Sequence, residues 1–193
     1  MQDQKKVSEG TSKNDLLTKQ LLEKRVIFIY GEINQDLAKE ISMQLLYLKT
    51  KSEDPVTIFI NSQGGHVEAG DTIHDMIQYI DLPINMIGTG WVASAGITIF
   101  LAAPKQMRFC LPNTRFMIHQ PLGGVNGGAI DIAIEAEEIV KMRKRIEKLI
   151  SDATGQSLAK VSTDTDRNCW MDTSEALNYG IISKVIKTAS EIA

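Results

Sequence analysis

Short apolar segments alternate along this chain with amphipathic helical segments, and this alternation is the feature that most restricts its fold. Buried strands are predicted at 25–31, 56–61 and 84–87, each followed by apolar side chains at helical spacing. Asn34 is the predicted N-cap of the helix that follows the first of these strands. Strands that alternate with helices pair mostly in parallel. The sequence therefore predicts a single α/β domain over residues 15–193.

The second half of the chain continues this pattern. A helix is predicted from Ser94 to about residue 103, and strands are predicted at 106–111 and 115–119. The sequence Asp172-Thr-Ser-Glu175 is typical of a capping box that opens a short helix, and a last strand is predicted at 181–186. Apart from one long helix, the elements are of the lengths expected for a compact α/β domain.

The longest helical pattern runs from about Ala129 to Ala153, with Gly155 as its predicted C-cap. At 1.5 Å per residue such a helix spans roughly 37 Å, which exceeds the radius of a small domain. One interpretation is that the helix projects and that its apolar stripe contacts another subunit. The other is a core helix packed on its own sheet. The stripe consists of Ile134, Ile139, Met142, Ile146, Leu149 and Ile150.

Composition and charge exclude several classes of function. The net charge is −3 without a basic stripe, which argues against a nucleic-acid partner. Cys110 and Cys169 lack the spacing of a metal site or a disulfide framework, so no metal is expected and a reducing cytoplasm fits. No apolar run has the length of a membrane span or of a signal peptide. Residues 1–14 are polar and are expected to form a flexible arm. Helical periodicity begins at Asp15, and Asn14 or Asp15 is the predicted N-cap of the first helix.

Three features that could carry chemistry lie where predicted strands end, which is where sites gather in α/β folds. Ser94, at a strand-to-helix turn, is a candidate nucleophile that would need an adjacent base. Gly64-Gly65 lets the backbone approach a substrate, and the amides of Gly65 and Ala95 are candidate donors to an oxyanion. The structural alternatives are a helix cap for Ser94 and a simple tight turn for the two glycines.

The chain has only three histidines, which limits the choice of a general base. His66 directly follows the glycine pair. His74 falls on the third predicted helix, at a position expected to face solvent. His119 ends an apolar strand, where a buried and oriented imidazole is expected. His119 is therefore the candidate base, and a hydrogen-bonded structural histidine is the alternative.

Together these segments resemble ClpP, the proteolytic subunit of the Clp protease, over about residues 19–186. The most specific string is Met117-Ile-His-Gln-Pro-Leu-Gly-Gly124. The spacings also agree, with 25 residues from Ser94 to His119 and 49 from His119 to position 168. The other matching strings are Asn61-Ser-Gln-Gly-Gly65, Ala93-Ser94 with Gly96, Arg108-Phe-Cys-Leu-Pro-Asn113, Gly155-Gln-Ser and Asp164-Thr-Asp-Arg167.

The resemblance implies the fold of ClpP and the crotonase-like proteins, with stacked ββα units and a projecting handle helix at about 120–153. It implies a serine endopeptidase in which Ser94 is the nucleophile and His119 the general base. Position 168, occupied here by Asn168, would orient the histidine. The oxyanion amides would be those of Gly65 and Ala95, as the residues themselves suggest.

The resemblance also implies an assembly. Two heptameric rings would interleave their handles into a fourteen-subunit barrel, and Asp166 and Arg167 match positions that link ring contacts to site geometry. An AAA+ unfoldase would feed unfolded polypeptide into the chamber. ATP would be used only by that partner, so no cofactor is expected on this chain. The location would be cytoplasmic.

Four departures from the family pattern matter. The family has Asp where this chain has Asn168, and Pro where it has Gln63. Ala95 replaces a Met that lines the pocket for the substrate side chain, so the preferred side chain is expected to differ. The N-terminus lacks the apolar, Pro-containing loop that lines the axial pore, which puts docking of an unfoldase on this ring in doubt.

Asn168 is expected to decide how active the chain is alone. An aspartate stabilises the imidazolium formed during acyl transfer, and a neutral amide does so less. The sequence thus predicts a peptidase that is weak by itself and more active in a mixed barrel with a second ClpP paralogue. Two alternatives stay open: a catalytically silent structural or regulatory ring subunit, and a crotonase-type enzyme acting on acyl-CoA, which would give Ser94 and His119 no role.

Overall fold

The computed structural model describes residues 13–192, with side chains from residue 16 onward, and this part of the chain forms seven α-helices and seven β-strands. The helices are α1 Lys13–Glu23, α2 Gln35–Lys49, α3 Val67–Tyr79, α4 Ala95–Phe100, α5 Ala129–Thr154, α6 Leu158–Asp164 and α7 Thr173–Tyr179. The strands are β1 Val26–Ile33, β2 Val56–Gly65, β3 Ile84–Ala93, β4 Arg108–Cys110, β5 Arg115–Ile118, β6 Cys169–Met171 and β7 Lys184–Val185.

All seven strands belong to one sheet, which confirms the predicted α/β class. Strands β1, β2, β3, β4 and β7 pair in that order and in parallel. Strand β3 changes partner along its length, because Met86 to Gly88 pair with β4 whereas Trp91 to Ala93 pair with β5. Strand β6 then adds to β5 in antiparallel orientation. This change of partner brings the residue after β3 next to the end of β5.

Helices α2, α3 and α4 pack against the sheet, and their inward side chains join those of the strands in the buried core. The N-cap prediction for α2 is confirmed, since the Asn34 side chain accepts a hydrogen bond from the Leu37 N–H at 2.9 Å. Inward residues such as Ile41, Leu45 and Ile73 are fully buried. Each buried side chain of this size contributes roughly 1.5–3 kcal/mol through removal from water. The strands that carry the site are therefore held on a rigid base.

The prediction that the first strand is buried is wrong for one of its faces. Ile27 and Ile29 point into the core, whereas Phe28 and Tyr30 are exposed. Phe28 stacks on Phe59 of β2, with ring centroids 5.5 Å apart. Phe28 and Tyr30 stay partly open to solvent, so apolar composition alone misjudged the burial of this face.

The start of α1 also differs from the prediction. Asn14 and Asp15 both lie inside α1, so neither caps the helix, and Lys13 and Asn14 do not belong to an arm. The rest of the predicted arm, residues 1–12, lies outside the described residues. The apolar side chains of α1 are largely exposed, with Leu16 at 52% and Leu17 at 55%.

Helix α5 ends as predicted, at a left-handed Gly155 with φ +80°. The interpretation as a core helix holds for the second half of its apolar stripe, and the contact of the first half with another subunit stays a prediction. Ile146 and Ile150 are buried in the core, with Met142 and Leu149 packed against it. In the first half Ile139 is half-buried, and four other apolar side chains are exposed: Ile130, Ile132, Ile134 and Val140.

Several boundaries set by long-range pairing were not predicted. Strand β3 continues to Ala93 rather than ending at Ile87, because β5 pairs with its second half. Helix α4 ends at Phe100 rather than near residue 103. Helix α6 and strand β6 were missed, and only Lys184–Val185 of the predicted last strand pairs, with β4.

Candidate active site

Ser94 occupies a strained turn between β3 and α4. Its backbone has φ +56° and ψ −125°, a conformation that costs on the order of 1–3 kcal/mol for a residue with a Cβ. The Ser94 N–H donates to the Met117 carbonyl of β5 at 3.0 Å. The side chain makes no capping hydrogen bond to α4. Ser94 therefore occupies the N-cap position of α4 without capping the helix through its side chain, and its hydroxyl is directed elsewhere.

The Ser94 hydroxyl contacts His119, and His119 contacts Asn168. The distance from Ser94 Oγ to His119 Nε2 is 2.7 Å, and the distance from His119 Nδ1 to Asn168 Oδ1 is 3.0 Å. The strand register explains the second contact. Ile118, the last residue of β5, pairs with Cys169, the first residue of β6, in an antiparallel pair. His119, just after β5, therefore lies opposite Asn168, just before β6. The structure thus brings together three side chains that are 25 and 49 residues apart.

This geometry selects one tautomer of the imidazole. With Asn168 Oδ1 facing Nδ1, the amide oxygen can only accept, so the proton lies on Nδ1. His119 Nε2 then carries a lone pair and accepts the hydrogen bond from the Ser94 hydroxyl. This is the tautomer that a general base requires.

The glycine pair approaches the serine turn closely. Gly64 has φ +99°, and a Cβ atom at this position would lie 2.5 Å from Ser94 Cβ and 3.1 Å from the Ala95 nitrogen. Gly65 has φ +154°, and a Cβ there would collide with the backbone of Ile33. Both positions therefore require glycine, and the end of β2 lies against the turn that begins α4.

The segment before these glycines is pinned to β1. Ser62 is fully buried, and its hydroxyl donates to the Gly31 carbonyl at 2.6 Å while accepting from the Gly64 N–H at 3.0 Å. Gln63 adds a second tie when its amide is turned to suit its neighbours, donating to the Gly31 carbonyl at 3.3 Å and accepting from Glu32 N–H at 3.3 Å. Side-chain hydrogen bonds thus hold this turn where the family pattern has proline.

The space beside Ser94 is narrow, with a volume of about 20 Å³. Ala95 lies at its wall, and its N–H is in the first turn of α4, where N–H groups lack an intrahelical partner. Ile146 and Ile150 of α5 form the opposite side. The largest hollow described, about 730 Å³, lies elsewhere, between α3 and the second half of α5, so volume alone would not have located the serine.

Asp166 and Arg167 lie in the loop between α6 and β6, two residues and one residue before Asn168. The Arg167 side chain is 94% exposed, and its Nε lies 4.0 Å from Asp166 Oδ2. Asp166 is also exposed, and its Oδ1 lies 3.6 Å from Nη2 of Arg143 in α5. These two side chains therefore border both the site and open surface.

The surface position predicted for His74 is wrong. His74 is only 8% exposed, and its Nδ1 lies 2.7 Å from the Thr98 carbonyl of α4. The imidazole fastens α3 to α4 in the core. His66 caps α3, since its Nδ1 accepts from the Ala69 N–H at 3.3 Å. Of the three histidines, only His119 contacts Ser94.

Sequence reasoning gave no role to Gln120 or Arg143, and both border the site. Gln120 follows the histidine, and its side chain donates to the Asp166 carbonyl at 2.8 Å. Arg143 donates to Gln120 Oε1 at 2.8 Å. A signal was present, because residue 143 falls at helical spacing between Ile139 and Ile146, on the face of α5 that packs inward.

Comparison with known proteins identifies the family. The sequence pattern that defines the Clp protease family matches residues 8–189. The chain belongs to the Clp protease family. An ATP-dependent Clp protease proteolytic subunit 3 of Rhizobium etli is 51% identical over 172 residues, covering 89% of both chains.

Solved Clp protease structures resemble this chain in fold as well as in sequence. ClpP1 from Listeria monocytogenes is 57% identical, with a TM-score of 0.83 over 92% of this chain and 99% of that one. A mutant of the same protein with an asparagine replaced by aspartate gives a TM-score of 0.86 at the same identity and coverage. The chain thus has the ClpP fold.

Two further observations concern residues 13–192. None of their helices is both long and apolar enough to cross a membrane. Nor does this part of the chain gather three or more His, Cys, Asp or Glu side chains that could hold a metal ion.

Proposed function

We propose that this chain is a serine endopeptidase subunit in which Ser94, His119 and Asn168 act as a catalytic triad. The observation that carries the proposal is the unbroken pair of contacts, 2.7 Å from Ser94 Oγ to His119 Nε2 and 3.0 Å from His119 Nδ1 to Asn168 Oδ1. Membership in the Clp protease family supports peptide bonds as the target. The reaction class is acyl transfer to a serine hydroxyl.

In the first step, Ser94 Oγ attacks the peptide carbonyl carbon while its proton passes to His119 Nε2. The carbonyl electron pair moves onto oxygen, and the amides of Gly65 and Ala95 donate to that oxyanion. His119 then returns the proton to the leaving amine as the C–N bond breaks, which leaves an ester on Ser94. Water, deprotonated by His119, hydrolyses the ester by the same steps in reverse order.

Asn168 makes this triad weaker than one with aspartate. During the attack His119 becomes an imidazolium, and a neutral amide oxygen stabilises that charge less than a carboxylate does. In a serine protease the Asp-to-Asn change costs about 10⁴ in kcat, or roughly 5.5 kcal/mol, which sets the upper scale. We therefore propose that the subunit has low peptidase activity alone and higher activity in a barrel mixed with a second ClpP paralogue.

The proposed assembly is the fourteen-subunit barrel of two heptameric rings, with an AAA+ unfoldase delivering unfolded polypeptide that is cut to short peptides. The exposed apolar side chains in the first half of α5 support a contact between rings, since such a face is normally covered. The exposure of the Asp166 and Arg167 side chains supports their proposed role in contacts with a neighbouring subunit. The chain itself is proposed to need no cofactor, because ATP is consumed by the unfoldase, and to act in the cytoplasm.

The neutral Asn168 also favours a second candidate, a catalytically silent ring subunit. A fluorophosphonate probe separates the two, because it labels only a serine whose hydroxyl is activated by a base. We expect slow but complete labelling of Ser94 in the purified chain, none in Ser94→Ala, and unchanged labelling in the control Ser174→Ala, whose hydroxyl lies on the surface. A wild-type chain that stays unlabelled both alone and in a mixed barrel would be the silent subunit.

A further inference from the structure

Arg143 lies on the inward face of α5 and makes contacts in several directions at once. Its Nε donates to Glu147 Oε1 at 2.7 Å, and its Nη1 donates to Gln120 Oε1 at 2.8 Å. Its Nη2 lies 3.6 Å from Asp166 Oδ1 and donates to the Ser162 carbonyl at 3.5 Å. One guanidinium thus joins α5, the segment after β5 and the loop before β6.

Glu147 fixes this guanidinium in place. The Glu147 side chain is buried, with 9% exposure, and its ion pair with Arg143 is within a single helix at i, i+4 spacing. The same carboxylate raises the pKa of Arg143. Because a buried carboxylate needs its counter-charge, the side chain of Arg143 is held with its Nη1 turned toward Gln120.

Gln120 extends the contact to both sides of the triad. Its backbone N–H donates to the Thr165 carbonyl at 2.6 Å, and its side-chain amide donates to the Asp166 carbonyl at 2.8 Å. Gln120 is bonded covalently to His119, and Asp166 lies two residues before Asn168. The amide of Gln120 therefore bridges the two chain segments that carry the histidine and its partner.

The contacts of Arg143 and Gln120 lie just beyond the point where strand pairing between β5 and β6 ends. The β5–β6 ladder ends at the Ile118–Cys169 pair, and His119 and Asn168 both lie just outside it. Resting on the proposed function, we propose that Arg143 is a positioning residue that, through Gln120, holds His119 and Asn168 at hydrogen-bonding distance. The handle helix thereby becomes part of the support of the triad.

Lysine at position 143 provides the sharpest test. Arg143→Lys keeps a positive charge beside Glu147 but loses the planar fork that reaches Gln120 at the same time. Gln120→Ala breaks the bridge from its other end. The matched control is Arg145→Lys, since Arg145 lies on the same helix and pairs with Asp71 at 2.6 Å, away from the triad. Each variant is compared with wild type as an assembled particle, after its mass has been checked against that of the wild-type particle.

The readout is fluorophosphonate labelling of Ser94, resolved into a maximal rate and a half-saturating probe concentration. We expect Arg143→Lys and Gln120→Ala each to lower the maximal rate by about 10- to 100-fold, the scale of a displacement of about 1 Å, with half-saturation within twofold. The double variant should lose no more than the slower single variant, because both changes break one bridge. Arg145→Lys should match wild type.

The outcomes separate this inference from the proposed function. If wild type is labelled and Arg143→Lys matches it, or if the two losses simply multiply in the double variant, the positioning role is overturned and the triad stands. Equal losses in Arg143→Lys and Arg145→Lys would likewise overturn it, since they would report a general effect on α5. If Ser94 in wild type is inert in every assembly, both proposals fall.

Discussion

Gly64 lies against Ser94 so closely that a Cβ atom on the glycine would stand 2.5 Å from the serine Cβ. The end of β2 and the turn after β3 are therefore fitted to each other without space for a methyl group. The contact ties the proposed oxyanion segment to the proposed nucleophile.

Gly64→Ala should destabilise the chain and abolish labelling of Ser94. The alanine would have to adopt φ +99° and displace Ser94, at a cost on the order of 1–3 kcal/mol for the backbone alone. Urea unfolding and fluorophosphonate labelling measure the two effects. Gly124→Ala is the matched control, because a Cβ there meets no atom within 4 Å. Wild-type labelling by Gly64→Ala would contradict the close fit.

Asn168→Asp should raise the peptidase rate of the purified chain. The carboxylate would accept from His119 Nδ1 as the amide does at 3.0 Å and would also stabilise the imidazolium. The gain could reach about 10⁴ in kcat where the surroundings accept the charge. Hydrolysis of a fluorogenic peptide measures it, with Asn168→Ala as the variant expected to be slower than wild type. An unchanged or lower rate for Asn168→Asp would count against the orienting role.

The same isoleucine-to-alanine substitution should have unequal effects on protomer stability in the two halves of α5. Ile150 is 2% exposed, so Ile150→Ala should lower the free energy of unfolding by about 2–5 kcal/mol. Ile134 is 54% exposed, so Ile134→Ala should change the stability of the protomer by less than about 0.5 kcal/mol.

Ile134→Ala should instead weaken the association between rings. Sedimentation velocity at a fixed protomer concentration would then show a shift from the barrel toward single rings. A barrel that withstands dilution equally well in Ile134→Ala and wild type would place the ring contact elsewhere.

Cys110 should be silent toward thiol reagents in the folded chain. Burial raises the pKa of its thiol to about 12, so at pH 8 roughly one molecule in 10⁴ carries the reactive thiolate. Burial also raises the pKa of Cys169, which is half-buried beside Asn168. A chromogenic disulfide added to Cys169→Ser at pH 8 should release colour only after unfolding in guanidinium. Rapid release from the folded variant would show that Cys110 is reachable.

The sequence determined the features that depend on neighbours along the chain. Asn34 as the cap of α2, Gly155 as the end of α5 and the Asp172–Glu175 capping box were all predicted and are all present. Caps and helical periodicity depend on residues three or four positions apart. The sequence of residues 117–124, around His119, indicated the family, and the family in turn implied the fold.

Only the tertiary structure decided which distant residues meet. The burial of His74, the exposed face of β1 and the contact of Arg143 with Gln120 all follow from how separate elements pack. The pairing of β5 with β6 likewise places His119 opposite Asn168, and β6 had not been predicted. The local sequence pattern indicates the secondary structure of a segment and the chemical groups that it carries. The distance between two side chains depends on the register and packing of whole strands and helices, which no short window of sequence contains.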